Sequence, residues 1–288
     1  MLVSTGEILQ HAYKNHYGVI SPSIDGPDCL WMAVKAAEEK KSPLILGMRM
    51  EIFKDVEELK MFVDLARTMA QRASVPVSIN FDHCKDMKTA ISGFYGGVTS
   101  VMLDYSMKSF EENIEGTKFI CDMCHPIGVS VEAELGHLGV DVLIDPEDPG
   151  KQISDSIYTV PSEAGEFVKR TGVDALAIAI GNKHGIYKDD TIPHIEFELL
   201  EEINKACGIP LVLHGGSGTG DDNLHKACTM GVCKINVGAD VRKAAADAVI
   251  NAEPKKQRTK GFFLTRDGYL EKTKYYMDCF GSTDKSWL

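Results

Sequence analysis

Three histidines lie just past apolar, strand-like runs that are far apart along the chain. They are His83 after Val77-Ser-Ile-Asn-Phe-Asp82, His184 after Ala175-Leu-Ala-Ile-Ala-Ile-Gly181, and His214 after Pro210-Leu-Val-Leu213. Neutral imidazoles are good zinc ligands, and three protein ligands with an open fourth position is the arrangement of a catalytic rather than a structural zinc. The expected protein is therefore an enzyme that uses Zn2+, held by His83, His184 and His214.

Carboxylates stand at comparable places: Asp82 beside His83, Asp104 after Ser100-Val-Met-Leu103, and Glu132 and Glu134 within Val129 to Leu135. Next to a cation they would orient a ligand ring, offer a second metal position or transfer protons. Glu132 and Glu134 are two residues apart and share one face of a strand, whereas Ala133 faces the other way. Two glycine-rich turns, Gly181-Asn-Lys-His-Gly185 and His214-Gly-Gly-Ser-Gly218, expose backbone N–H groups. Such nests hold phosphate, so a phosphorylated substrate is expected.

Only a fold that gathers strand ends on one face brings these residues together. Short β-branched runs alternate with longer helical stretches, the pattern of βα units and a parallel sheet. Eight strands are expected: 17–21, 43–48, 75–82, 100–104, 129–135, 175–181, 210–214 and 234–237. Eight closes a barrel whose strand carboxyl ends build the active site. The expected fold class is α/β, a TIM (β/α)8 barrel, formed as a single domain over residues 1–288 with a helical tail from about residue 250. The long irregular piece from Gly136 to Thr159 would be a lid on the catalytic face.

Composition narrows the partners. The net charge of -11 argues against nucleic acid and against anionic membrane surfaces. No run approaches the roughly 20 apolar residues of a membrane span, and Met1 to Glu7 lacks an export pattern, so a cytoplasmic location is expected. The eight cysteines are expected to be reduced, buried thiols. Cys121-Asp-Met-Cys124-His125 matches a haem-attachment spacing but is expected to be the end of a helix. His11, His16, His125, His137, His194 and His225 are expected to be structural or solvated, without partners, and Lys255 to Arg258 a solvated charge run.

Met1 to Thr5, Asn80-Phe-Asp-His83, Ser100 to Ser106, Phe110-Glu-Glu-Asn113, Val131 to Gly136, Gly181 to Gly185, His214 to Gly218 and Lys234-Ile-Asn-Val237 together resemble the metal-dependent class II ketose-bisphosphate aldolases. The likeness runs from residue 1 to about residue 240. It implies a zinc-dependent, reversible aldol cleavage of a ketose phosphate to dihydroxyacetone phosphate and an aldehyde. By that resemblance His83, His184 and His214 hold zinc, Asp82 exchanges a proton with the C4 hydroxyl, and Asp104 and Glu134 line an alternate metal position. Gly185, Gly215, Gly216, Ser217 and Asn236 would bind the dihydroxyacetone phosphate half, with a monovalent cation (Na+ or K+) nearby. A homodimer or homotetramer is implied too. The chemistry is coherent, because a Lewis acid on the ketone and hydroxyl oxygens stabilises the enediolate and no Schiff-base lysine is needed.

Departures from the family pattern fall on the far half of the substrate. A threonine that meets phosphate three residues after Asn236 is replaced by Ala239, Pro22-Ser-Ile-Asp25 stands where Ala-Phe-Asn is common, and Arg49 replaces a serine. Arg49 would pair with an anion on the aldehyde half. An Asp-Pro-Arg segment is not evident in Pro254 to Phe263, and the mobile-loop glutamate has only Asp141, Asp145 and Glu147 as candidates. Fructose or tagatose 1,6-bisphosphate is the default substrate. A zinc hydrolase on the same barrel, or a non-catalytic aldolase-like partner subunit, are the alternatives.

Overall fold

A computed structural model describes residues 1–136, 158–183, 192–252 and 260–287. Its eight strands are β1 (Val19–Pro22), β2 (Leu44–Met48), β3 (Val77–Cys84), β4 (Ser100–Leu103), β5 (Ser130–Leu135), β6 (Ala175–Ile178), β7 (Leu211–Leu213) and β8 (Val232–Val237). Each coincides with an expected run, with ends displaced by a few residues, as is usual where hydrogen bonding rather than composition sets a boundary. All pairings are parallel, in the order β1-β8-β7-β6-β5-β4-β3-β2. A parallel bridge between Ser23 and Gly47, with the Ile24 N–H donating to the Gly47 carbonyl at 2.9 Å, brings β1 against β2 and all but closes the barrel.

Eight helices follow the strands in turn: α2 (Pro27–Lys40), α3 (Val56–Arg72), α4 (Met87–Gly96), α5 (Phe110–Cys124), α6 (Pro161–Thr171), α7 (Phe197–Cys207), α8 (Asp221–Thr229) and α9 (Ala239–Ile250). In α3 the Asp55 carboxylate caps the Glu58 N–H, and Leu59, Val63, Ala66 and Ala70 are buried. Their spacing of three and four residues is one helical stripe, so the core-facing side follows directly from sequence. Ser109 and Glu112 form a capping box that starts α5, and the Cys121 to His125 pattern is indeed the end of that helix. All eight cysteines are free thiols.

Two further helices complete the body. The apolar face of α1 (Thr5–Lys14), Ile8, Leu9 and Ala12, joins Val19, Ile45, Met102, Ala175, Ala177, Val212 and Cys233 in one buried cluster, which forms the floor of the barrel. At the other end of the chain α10 (Gly261–Cys279) packs on α2 and α9, over the β8/β1 seam. Above the floor the interior turns polar. Ser21, Asn80, Asp82, Glu132, Glu134, His214 and Lys234 are all buried there. Side chains of opposite parity, such as Leu46, Phe81, Ala133 and Ile235, belong to the outer core under the helices.

Candidate metal centre and active site

Strand alternation would send Asp82 and His83 to opposite faces of β3. The chain avoids this with a bulge: Phe81 pairs with Val101 and Cys84 with Leu103, so two residues oppose Met102 alone. His83 takes the left-handed conformation, φ 48°, a costly geometry for a residue with a Cβ, and its N–H points to Met102 Sδ at 3.4 Å. Both side chains thereby enter the barrel. Asp82, His83 and His214 each offer a ligand atom, all within 4.8 Å of one another, and His83, Asp104 and Glu134 form a second such group.

Acceptors behind the two rings fix which nitrogen faces the centre. Nδ1 of His83 lies 3.1 Å from Asp104 Oδ2, and Nε2 of His214 lies 3.0 Å from Glu132 Oε1. An ionised carboxylate only accepts, so these two nitrogens carry the protons. In the neutral rings His83 Nε2 and His214 Nδ1, 2.8 Å apart, each offer a lone pair. Two lone pairs aimed at one point, each ring backed by a carboxylate, is the donor set of a divalent metal. The residues present fit zinc.

Asp82 is gripped from three sides. Its Oδ1 accepts from Asn80 Nδ2 at 3.1 Å and Lys234 Nζ at 3.3 Å, and its Oδ2 from Asn236 Nδ2 at 2.8 Å. Burial would raise its pKa, but the charge of Lys234, the largest of the opposing influences, holds the carboxyl well below the usual range. Asp104 is likewise opposed by burial, yet the His83 hydrogen bond keeps it ionised. The Lys234 ammonium also donates to both oxygens of Glu132, at 2.9 and 2.7 Å. Burial alone would discharge Lys234, whereas Asp82 and Glu132 raise its pKa.

The glycine turn after β7 lies against β8. A Cβ on Gly216 would meet Ile235 Cγ2 at 2.4 Å and the Asn236 carbonyl at 2.9 Å, so only glycine fits. Ser217 Oγ accepts the Asp240 N–H in the first turn of α9 at 3.1 Å. Arg49 follows β2 directly, in extended conformation, and its charge reaches Asp82. His184 and Gly185 lie outside the described residues, as do residues 137–157 of the expected lid, with Asp141, Asp145 and Glu147, and the Lys255 to Arg258 run. The turn leading to His184 is nevertheless stapled to the third histidine, because Asn182 Nδ2 donates to the His214 carbonyl at 2.6 Å.

Over residues 3–285 the chain matches the family model described as fructose-bisphosphate aldolase class-II. The chain belongs to that family. As a class II aldolase it is a carbon–carbon lyase, and relatives agree along nearly its whole length. It is 33% identical to the sulfofructosephosphate aldolase of Alkalicoccus urumqiensis over 99% of this chain and 98% of that one. It is 34% identical to the probable fructose-bisphosphate aldolase of Bacillus subtilis, over 99% of both. The crystal structure of the YdjI aldolase from Escherichia coli K12 superposes with a TM-score of 0.83, at 33% identity, covering 99% of this chain and 100% of that one. The solved relatives share the same barrel.

Two residues of this class II aldolase site escaped the strand-end reasoning, Lys234 and Asn80. Both had a legible signal, since each lies two residues from a polar residue already singled out, Asn236 or Asp82, and so shares its face. Four of the histidines set aside as partnerless have partners, His11, His125, His194 and His225. His11 bonds the Tyr17 hydroxyl and stacks on Trp287, and His125 pairs with Asp174. Ordinary tertiary packing brought them together.

Proposed function

We propose that this aldolase uses zinc to cleave a phosphorylated ketose, of the fructose or tagatose 1,6-bisphosphate type, to dihydroxyacetone phosphate and an aldehyde. The observation that carries it is the pair of ring nitrogens, His83 Nε2 and His214 Nδ1, converging beside an ionised Asp82. His83 and His214, with His184, would hold the ion, while Asp104 and Glu134 would line an alternate position. Zinc, when bound, supplies a Lewis acid that draws electron density from the ketone oxygen.

The chain's own groups account for the remaining chemistry. Asp82, kept as a carboxylate in a buried site, takes the proton of the C4 hydroxyl as the C3–C4 bond breaks, and returns it in condensation. Asn236, which donates to Asp82, would bind the dihydroxyacetone half. Gly215, Gly216 and Ser217 present a turn beside the amino terminus of α9, a seat for phosphate, with Gly185 and a monovalent cation completing it. Arg49 would meet an anion on the aldehyde half. The names of two relatives, one a fructose-bisphosphate and one a sulfofructosephosphate aldolase, support an acidic ketose as substrate. A cytoplasmic homodimer or homotetramer is the proposed form.

The test is release of dihydroxyacetone phosphate from fructose and tagatose 1,6-bisphosphate by chelated and zinc-restored protein. Triose release that vanishes on chelation and returns with zinc supports the proposal. Zinc-dependent ester or amide hydrolysis without triose would refute it.

A further inference from the structure

Lys234 is fully buried inside β8, with no contact with solvent. Taking an ammonium and two carboxylates out of water is expensive, and an apolar side chain of similar volume generally packs as well or better. Stability is a poor explanation for this lysine. What the lysine does have is a grip on two carboxylates with separate tasks. Both oxygens of Glu132 are bound, so that carboxylate is held from rotating, and its Oε1 stays aimed at His214 Nε2. The same ammonium holds Oδ1 of Asp82, whose other oxygen is held by Asn236.

We infer that Lys234 is a positioning residue that ties the acid–base carboxylate to the metal centre. One ammonium sets the place of Asp82 and, through Glu132, the orientation of His214, so the proton-transfer group and the metal-facing nitrogen keep a fixed relation. The part concerning Asp82 rests on the aldolase function proposed above; the part concerning His214 rests on geometry alone. Lys234 acts through Asp82 and Glu132, and an ammonium engaged by two carboxylates is no nucleophile for an imine.

The test compares the wild type, Glu132→Gln and the double variant Lys234→Met/Glu132→Gln. The double variant removes one charge of each sign, and its Gln still offers His214 an acceptor. Circular dichroism checks the fold, chelator competition gives zinc affinity, and kcat and KM are read from triose release from fructose 1,6-bisphosphate. Relative to Glu132→Gln, the double variant is expected to bind zinc and turn over roughly 10–100-fold less well, the range for residues supporting a metal ligand, with KM little changed. Equality of the two variants in both readouts overturns the inference. If the double variant does not fold, Lys234→Gln replaces it; parity with wild type is then the overturning result. A wild type that binds zinc but releases no triose refutes the aldolase proposal, while the zinc-affinity comparison still decides the role of Lys234.

Discussion

His83 Nε2 and His214 Nδ1 face each other at 2.8 Å inside the barrel, each ring joined to a carboxylate through its other nitrogen. A divalent ion bound by both nitrogens would favour the folded state over the unfolded chain. Metal-free protein is therefore expected to melt lower than zinc-loaded protein. Saturation a hundredfold above Kd adds about 2.7 kcal/mol, and a domain of this size gains about 2–4 °C per kcal/mol. Thermal melts with chelator and with zinc check this; identical midpoints would count against a zinc site.

Gly216 is the tightest point of the turn after β7. Replacing it with alanine forces a methyl against Ile235 and the Asn236 carbonyl. Overpacking of this kind costs about 1–3 kcal/mol. Denaturant melts should report that loss, and a raised KM for dihydroxyacetone phosphate in the condensation direction should accompany it.

Arg49 gives a prediction about selectivity. Arg49→Ser is expected to raise KM for an anionic aldehyde by roughly tenfold or more, the worth of a charge-assisted hydrogen bond, and to spare dihydroxyacetone phosphate. Condensation kinetics with charged and neutral aldehydes separate the two. Equal loss for both halves would remove Arg49 from the substrate site.

The buried carboxylates set the response to acid. Asp82, Asp104 and Glu132 all have pKa values lowered in the fold. Each binds its proton more weakly folded than unfolded, so its stabilisation is complete above the unfolded value of about 4 and fades as pH falls through the folded value. Melting of metal-free protein is expected to hold level from neutral pH down to about pH 5 and to drop below about pH 4. A midpoint that rises on acidification would show these carboxylates repelling one another instead.

Much of this was legible before any coordinates. Apolar runs of the right length placed all eight strands, and alternation put Glu132 and Glu134 on one face of β5 with Ala133 on the other. His83 and His214 stood out, with His184, because three imidazoles at strand ends beside Asp82 and glycine-rich turns make a metal-ligand set. What alternation could not supply was the bulge at β3, since a residue driven to φ 48° leaves no mark in residue type. A second bulge, at Cys233 in β8, likewise shifts the register, with Leu211 against Val232 but Val212 against Lys234.

Periodicity is a local property, and the strands, helices and their buried faces follow from it because each depends on residues a few positions away. Lys234 and Asp82 are 152 positions apart, and Glu132 lies 102 from the same lysine. No local pattern pairs them. Closure of the barrel does, by bringing β3, β5 and β8 around one interior too dry to leave any of these charges alone.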